Sequence, residues 1–154
     1  MKIKKISIIL LLLILTGCGK SEVLTCTNTE NANGLALSEK VVITFNGKKA
    51  SNLVMNVDFM ATDDDNKKIW DDLIDFYTKK FPTSNENGIV VKDKNDKDNY
   101  KYTINMVIDL NKVSEESMTK YDLDDLLNDN DTIDDIKLEA EQSGFTCSVV
   151  TKSN

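Results

Sequence analysis

The chain has 154 residues, with 26 acidic against 19 basic side chains, a formal charge of −7, no histidine and no arginine. The acid surplus repels nucleic acid and anionic lipid headgroups, so nucleic-acid binding is excluded. Without histidine there is no common general base, no Ser-His or Cys-His nucleophile pair and few routes to a zinc site; without arginine there is no planar fork for carboxylate or phosphate.

The first segment, 1–17, has the parts of an export signal: Lys2, Lys4 and Lys5, then the apolar run 6–15 broken only by Ser7. Ten helical residues reach about 15 Å, half of a roughly 30 Å hydrocarbon core, so the run is too short to span a membrane permanently. Leu15-Thr16-Gly17-Cys18 follows and resembles the lipobox of bacterial lipoproteins, in which the cysteine is lipidated and becomes the first mature residue. Two acyl chains (palmitate or similar) on Cys18 would anchor the protein stably in the bilayer. Residues 18–22 then read as a short lipidated tether and 23–152 as one domain. Loss of the leader leaves 16 basic and 26 acidic residues, a net −10. The expected location is the outer face of the cell membrane of a low-GC, Gram-positive bacterium.

The pattern of the mature chain predicts strand 23–29 carrying Cys26, a polar turn over 28–34, and strand 41–45 followed at once by Asn46-Gly47, a strong hairpin signal. Leu53, Met55, Val57 and Phe59 alternate along the return strand. The period then changes. After Asp63-Asp64-Asp65, the residues Ile69, Trp70, Leu73, Ile74, Phe76, Tyr77 and Phe81 mark one amphipathic helix that Pro82 stops. A strand starts at Gly88-Ile89-Val90-Val91, and the charged run 92–99 is expected to turn. From Tyr100 to Leu110 alternate residues are apolar, as in a half-buried strand.

Short helical turns are expected over 114–120 and 123–127. Asp131-Thr132 caps a last helix with Ile133, Ile136, Leu138 and Ala140, Gly144 fits its C-terminal cap, and strand 145–151 carries Cys147. The order β-β-β-α-β-β-α-β argues an α+β fold, a largely antiparallel sheet covered by one long and one or two shorter helices.

Once Cys18 is lipidated, Cys26 and Cys147 remain, an even number in an oxidising compartment. A disulfide is the economical reading; a metal pair, for which partner ligands are lacking, and two buried thiols are the alternatives. Such a bridge would bring both ends of the fold to the membrane side and leave the Asn46-Gly47 turn facing outward. Asp122, Asp124, Asp125, Asp129, Asp131, Asp134 and Asp135 form the densest acidic stretch, but glycine and spacing fail the EF-hand pattern, as they do at Asp63-x-Asp65 and Asp96-x-Asp98. These acids read as caps and first-turn residues of short helices, with a weak calcium-binding surface module as the alternative. Ser114 with Lys120 lacks any motif of a nucleophile pair.

The lipobox, Leu24-Thr25-Cys26-Thr27, Thr44-Phe45-Asn46-Gly47, Tyr100-Lys101-Tyr102, Ile108-Asp109-Leu110 and the closing Gly144-Phe145-Thr146-Cys147 together resemble the YehR-like family of small bacterial lipoproteins, a domain of unknown function. The resemblance implies an α+β domain on a lipid anchor and carries over no catalytic or binding residue. The expected function is a non-enzymatic binding or scaffolding domain of the cell envelope, without cofactor or structural metal, whose partners are the lipid bilayer, through the anchor, and another envelope protein or a small ligand. The alternative is a small glycan hydrolase of the cell wall working through two carboxylates.

Overall fold

A computed structural model describes residues 20–121, 123 and 131–152. The leader, Cys18 and the acids Asp122, Asp124, Asp125 and Asp129 lie outside these residues, as does all of the expected turn 123–127 except Leu123.

The chain builds seven strands: β1 Ser21–Ala32, β2 Leu35–Asn46, β3 Lys49–Ala61, β4 Ser84–Glu86, β5 Ile89–Asp96, β6 Lys101–Asp109 and β7 Thr146–Lys152. They form one antiparallel sheet in the order β4-β5-β6-β3-β2-β1-β7. Four helices accompany them: α1 Asp64–Lys68, α2 Trp70–Lys80, α3 Glu115–Lys120 and α4 Ile133–Gln142. The fold is therefore α+β with an antiparallel sheet, as expected, but its element order is longer than the sequence pattern gave.

The additions have local causes. The expected single helix divides at Ile69 (φ −101°, ψ 13°), which closes α1 and opens α2. Asp63 caps α1 by accepting from the Asn66 N–H at 2.8 Å. Short β4 pairs with β5 across Asn87-Gly88, whose φ values of 52° and 80° suit a tight hairpin. The charged residues 92–96 continue β5 instead of turning. β4 reaches only Ile89, Val90 and Val91, so Lys92 to Asp96 form a wet sheet edge where charge is tolerated. At the end of α4, the Phe145 N–H reaches the Ala140 carbonyl and the Gly144 N–H the Glu141 carbonyl, with Gly144 at φ 91°. That is a Schellman closure.

The register fixes one face of the sheet as the core face. Leu53, Met55, Val57 and Phe59 of β3 stand opposite Ile108, Met106, Ile104 and Tyr102 of β6. On the other side they meet Ile43, Val41, Glu39 and Leu37 of β2. Trp70 from α2 is buried on this face and donates its indole N–H to Asn95 at 3.2 Å. Tyr102 is fully buried, yet its hydroxyl donates to Asp93 at 2.7 Å and lies 3.1 Å from Thr78. The helix faces are less complete than the spacing implied: Ile69, Phe76 and Leu138 are 47%, 60% and 55% exposed. The opposite sheet face carries cross-strand pairs such as Asn105 with Asn56 (2.6 Å) and Thr103 with Asp58 (2.5 Å).

Two expectations about the ends of the fold change. β1 begins at Ser21, inside the segment 18–22 expected to be tether. Ser21 stands opposite both Asn46 and Lys152, so the turn after β2 lies at the same end of the sheet as the start of β1 and not at the opposite end. The turn at the far end is Asn33-Gly34 (φ 51° and 74°), joined there by Asp63 and Asn66, whose side-chain amide donates to the Asn33 carbonyl at 2.6 Å.

Candidate functional site

α4 packs against β1 and β7, and α2 sets Tyr77 on Phe59 of β3 and Thr78 at Tyr102 of β6, which leaves a groove between the two helices over β2 and β3. The groove contains two cavities. One, about 250 Å³, lies under α4 between Ile136, Ala140 and Phe145 and the floor residues Leu24, Cys26, Val41 and Ile43. The other, about 260 Å³, lies beside α2 between Tyr77 and Phe81 and the floor residues Leu37, Met55, Val57 and Ile104. Val41 and Met55 are opposite each other in the β2–β3 register, so the two cavities adjoin. Leu37, Val41, Met55 and Val57 point to the core face yet remain only partly buried. Apolar floor residues at a sheet centre are normally covered; here, among the described residues, they line open space.

One charged side chain interrupts this floor. Glu39 occupies the core-face position between Leu37 and Val41 on β2, opposite Val57 on one side and Asn28 on the other. Its carboxyl is pushed above the ordinary value of 4.5, first by partial burial and then by the like charge of Glu30, against a hydrogen bond from Asn28. Asn28 also donates to Glu30 at 3.3 Å. Among the described residues no lysine pairs with Glu39. Lys80 lines the same cavity, with its ammonium 5.5 Å from the Phe81 ring centre. Burial also raises the Tyr77 phenol above 10.0, and its ring stacks on Phe59 at 4.2 Å.

Sequence reasoning missed Glu39 because strand β2 was expected to begin at Val41. The signal was present: in Leu35, Leu37, Glu39, Val41, Ile43 and Phe45 a carboxylate takes one position of an otherwise apolar alternation.

The sequence-derived candidates separate clearly. Cys26 and Cys147 are directly opposed on β1 and β7 and form a disulfide, with Cα atoms 4.1 Å apart. Among the acids, Asp63 caps α1, and Asp96 accepts from the Asn99 side chain at 3.0 Å. Asp135 completes a capping box with Thr132 at the start of α4. Among the described residues no three His, Cys, Asp or Glu side chains gather as metal ligands. Ser114 caps α3 while Lys120 ends it with its ammonium over the Tyr121 ring, so the two do not meet as nucleophile and base. Among the described residues no helix is long and apolar enough to cross a membrane.

No protein-family model matches the chain, and no curated protein does. An NMR structure of a protein from Streptococcus pneumoniae TIGR4 is similar, with a TM-score of 0.53 at 12% identity, covering 83% of this chain and 85% of that one. The NMR structure of the E. coli YehR protein matches with a TM-score of 0.48 at 14% identity, covering 80% and 88%. The first likeness supports the fold alone; neither carries a ligand or an activity to this chain.

Proposed function

We propose that this chain is an extracytoplasmic lipoprotein, held at the cell membrane by Cys18, that works as a non-enzymatic binding domain and takes its ligand in the groove between α2 and α4. The observation that carries the reading is the apolar floor at the centre of the sheet, which is only partly covered among the described residues. Each cavity is slightly below the roughly 300 Å³ at which small-molecule sites usually begin, and together they suit an alkyl chain or a short apolar segment. The strand motifs around Cys26 and Cys147 and the lipobox fit membership of the YehR-like family, which we include in the proposal on sequence grounds.

A thermal-shift titration with octanol tests the groove. Octanol is expected to raise the midpoint in a saturable manner, because a ligand that binds only the folded state stabilises it by mass action. A midpoint that stays flat to the solubility limit overturns the reading. Replacement Cys18→Ala tests the anchor: the protein is expected to leave the membrane fraction, and retention there overturns lipid attachment at this residue.

Glu39 and Glu30 also give the hydrolase alternative a specific footing, since a raised carboxyl beside a second acid in a concave site is what glycoside hydrolysis requires. The walls argue against it. A sugar needs many hydrogen-bond partners, whereas the cavity around Glu39 offers only Lys80 and the Tyr77 hydroxyl among aliphatic and aromatic side chains. Release of reducing ends from purified cell-wall glycan, lost in Glu39→Gln, would favour the hydrolase.

A further inference from the structure

We propose that Glu39 makes the groove selective for a slender apolar ligand bearing one protonated amine, with the alkyl portion on Val57, Met55 and Leu37 and the ammonium at the Glu39 carboxylate. This deepens the binding reading above and rests on it.

The argument begins with what surrounds the carboxylate. Glu39 stands on the core face of β2, two strands in from the β7 edge, so its position in the floor is fixed by ladder pairing on both sides. Leu37 and Val41 flank it along the strand and Val57 faces it across β3, which partly strips it of water. The like charge of Glu30 acts on it, and Glu139 lines the adjoining cavity. Neutral Asn28 stands opposite it on β1, while the Lys80 ammonium sits at the Phe81 ring. Among the described residues this partly desolvated carboxylate, beside another carboxylate, therefore forms no ion pair, although the Lys80 ammonium lines the same cavity.

Three head groups on one alkyl chain would be treated differently. An ammonium gains an ion pair with charge-assisted hydrogen bonds in a medium less screening than water. A hydroxyl gains one hydrogen bond to the carboxylate but no ion pair. A carboxylate is repelled by Glu39 and Glu30 together, and that repulsion supplies discrimination that attraction alone would not.

The test uses the full chain with octylamine, octanol and octanoate at pH 7.5, followed by chemical shifts of the Leu37, Val57 and Met55 methyls. Octylamine is expected to bind about tenfold or more tightly than octanoate and severalfold more tightly than octanol, and about tenfold corresponds to 1.4 kcal/mol. Glu39→Gln is expected to bring octylamine to within about twofold of octanol, because the ion pair is lost while octanol loses only the charge assistance of one hydrogen bond. Glu30→Gln, at an exposed strand position, is expected to weaken octylamine by a smaller factor and provides a second variant should the first fold poorly. Equal binding of octylamine and octanol, or a preference that survives Glu39→Gln, overturns the inference while the groove stands as an apolar site. Failure of all three probes to bind overturns the groove itself.

Discussion

At the scale of single residues, Glu39 has a consequence for stability as well as for binding. A carboxyl whose folded value lies above 4.5 holds its proton more firmly folded than unfolded. In the window just above 4.5 the native state binds more protons, so stability falls as pH rises through it, and the penalty is complete at neutral pH. Asp63 and Asp135, held below 3.8 by hydrogen bonds at their caps, act in the opposite sense and lose their contribution only below 3.8. Glu39→Gln is therefore expected to melt higher than the natural chain at pH 7, and the difference is expected to shrink as pH approaches 4.5. Melting curves of the two proteins over pH 4–8 check this; curves that stay parallel would show that the carboxylate is not desolvated. The residue was legible in the sequence only as a break in an alternation. Its meaning required the register, because the same Glu on the other face of β2 would be an ordinary solvated side chain.

Among the elements, the turns show how far local chemistry reaches. Asn33-Gly34 and Asn46-Gly47 are the same dipeptide, but they do different things. Both Asn33 and Gly34 have positive φ and join β1 to β2, whereas Asn46 ends β2 and only Gly47, at φ 65°, turns the chain. A shift of register between Thr44 and Phe45 accounts for the second case, since it moves the β2–β3 turn by one residue. The strands of the sheet were legible because hydrophobic alternation and pairing agree in β3 and β6. The full length of β1 was not, because its distal residues from Thr29 to Ala32 are exposed, and that of β2 was not, because Glu39 breaks its apolar alternation.

Gly34 is the tighter of the two glycines. A Cβ there would lie 1.7 Å from an Asp63 carboxylate oxygen, while one at Gly47 would meet nothing within 4 Å. Gly34→Ala thus adds the loss of the Asp63 cap to left-handed backbone strain, together about 2–3 kcal/mol, against about 1–2 kcal/mol for strain alone in Gly47→Ala. Chemical denaturation of both variants checks the order, and equal losses would mean that Asp63 simply moves aside.

For the whole molecule, the link that closes the fold also supports one wall of the site. Cys26 and Cys147 are 121 residues apart, and closing a loop of that length removes unfolded-state entropy worth about 4–5 kcal/mol in the chain-entropy model. Apart from its ladder with β1 and the contact with α4, β7 buries little side chain. It is an edge strand, and Cys147 alone among its residues is not exposed. α4 leads into β7 through the Gly144 closure and forms the wall of the cavity over Leu24 and Cys26. Replacing both cysteines by serine is therefore expected to act in two ways. Global stability falls by about 2–5 kcal/mol, and β7 opens locally more readily than the centre of the sheet, where β3 and β6 keep their full ladder and buried side chains. Amide exchange should accelerate most from Thr146 to Lys152 and least in β3 and β6. Because β7 and α4 move together, octanol should also bind more weakly to the serine variant, even under conditions where that variant is fully folded. Uniform acceleration of exchange with unchanged octanol affinity would separate the disulfide from the groove and leave it a purely global restraint.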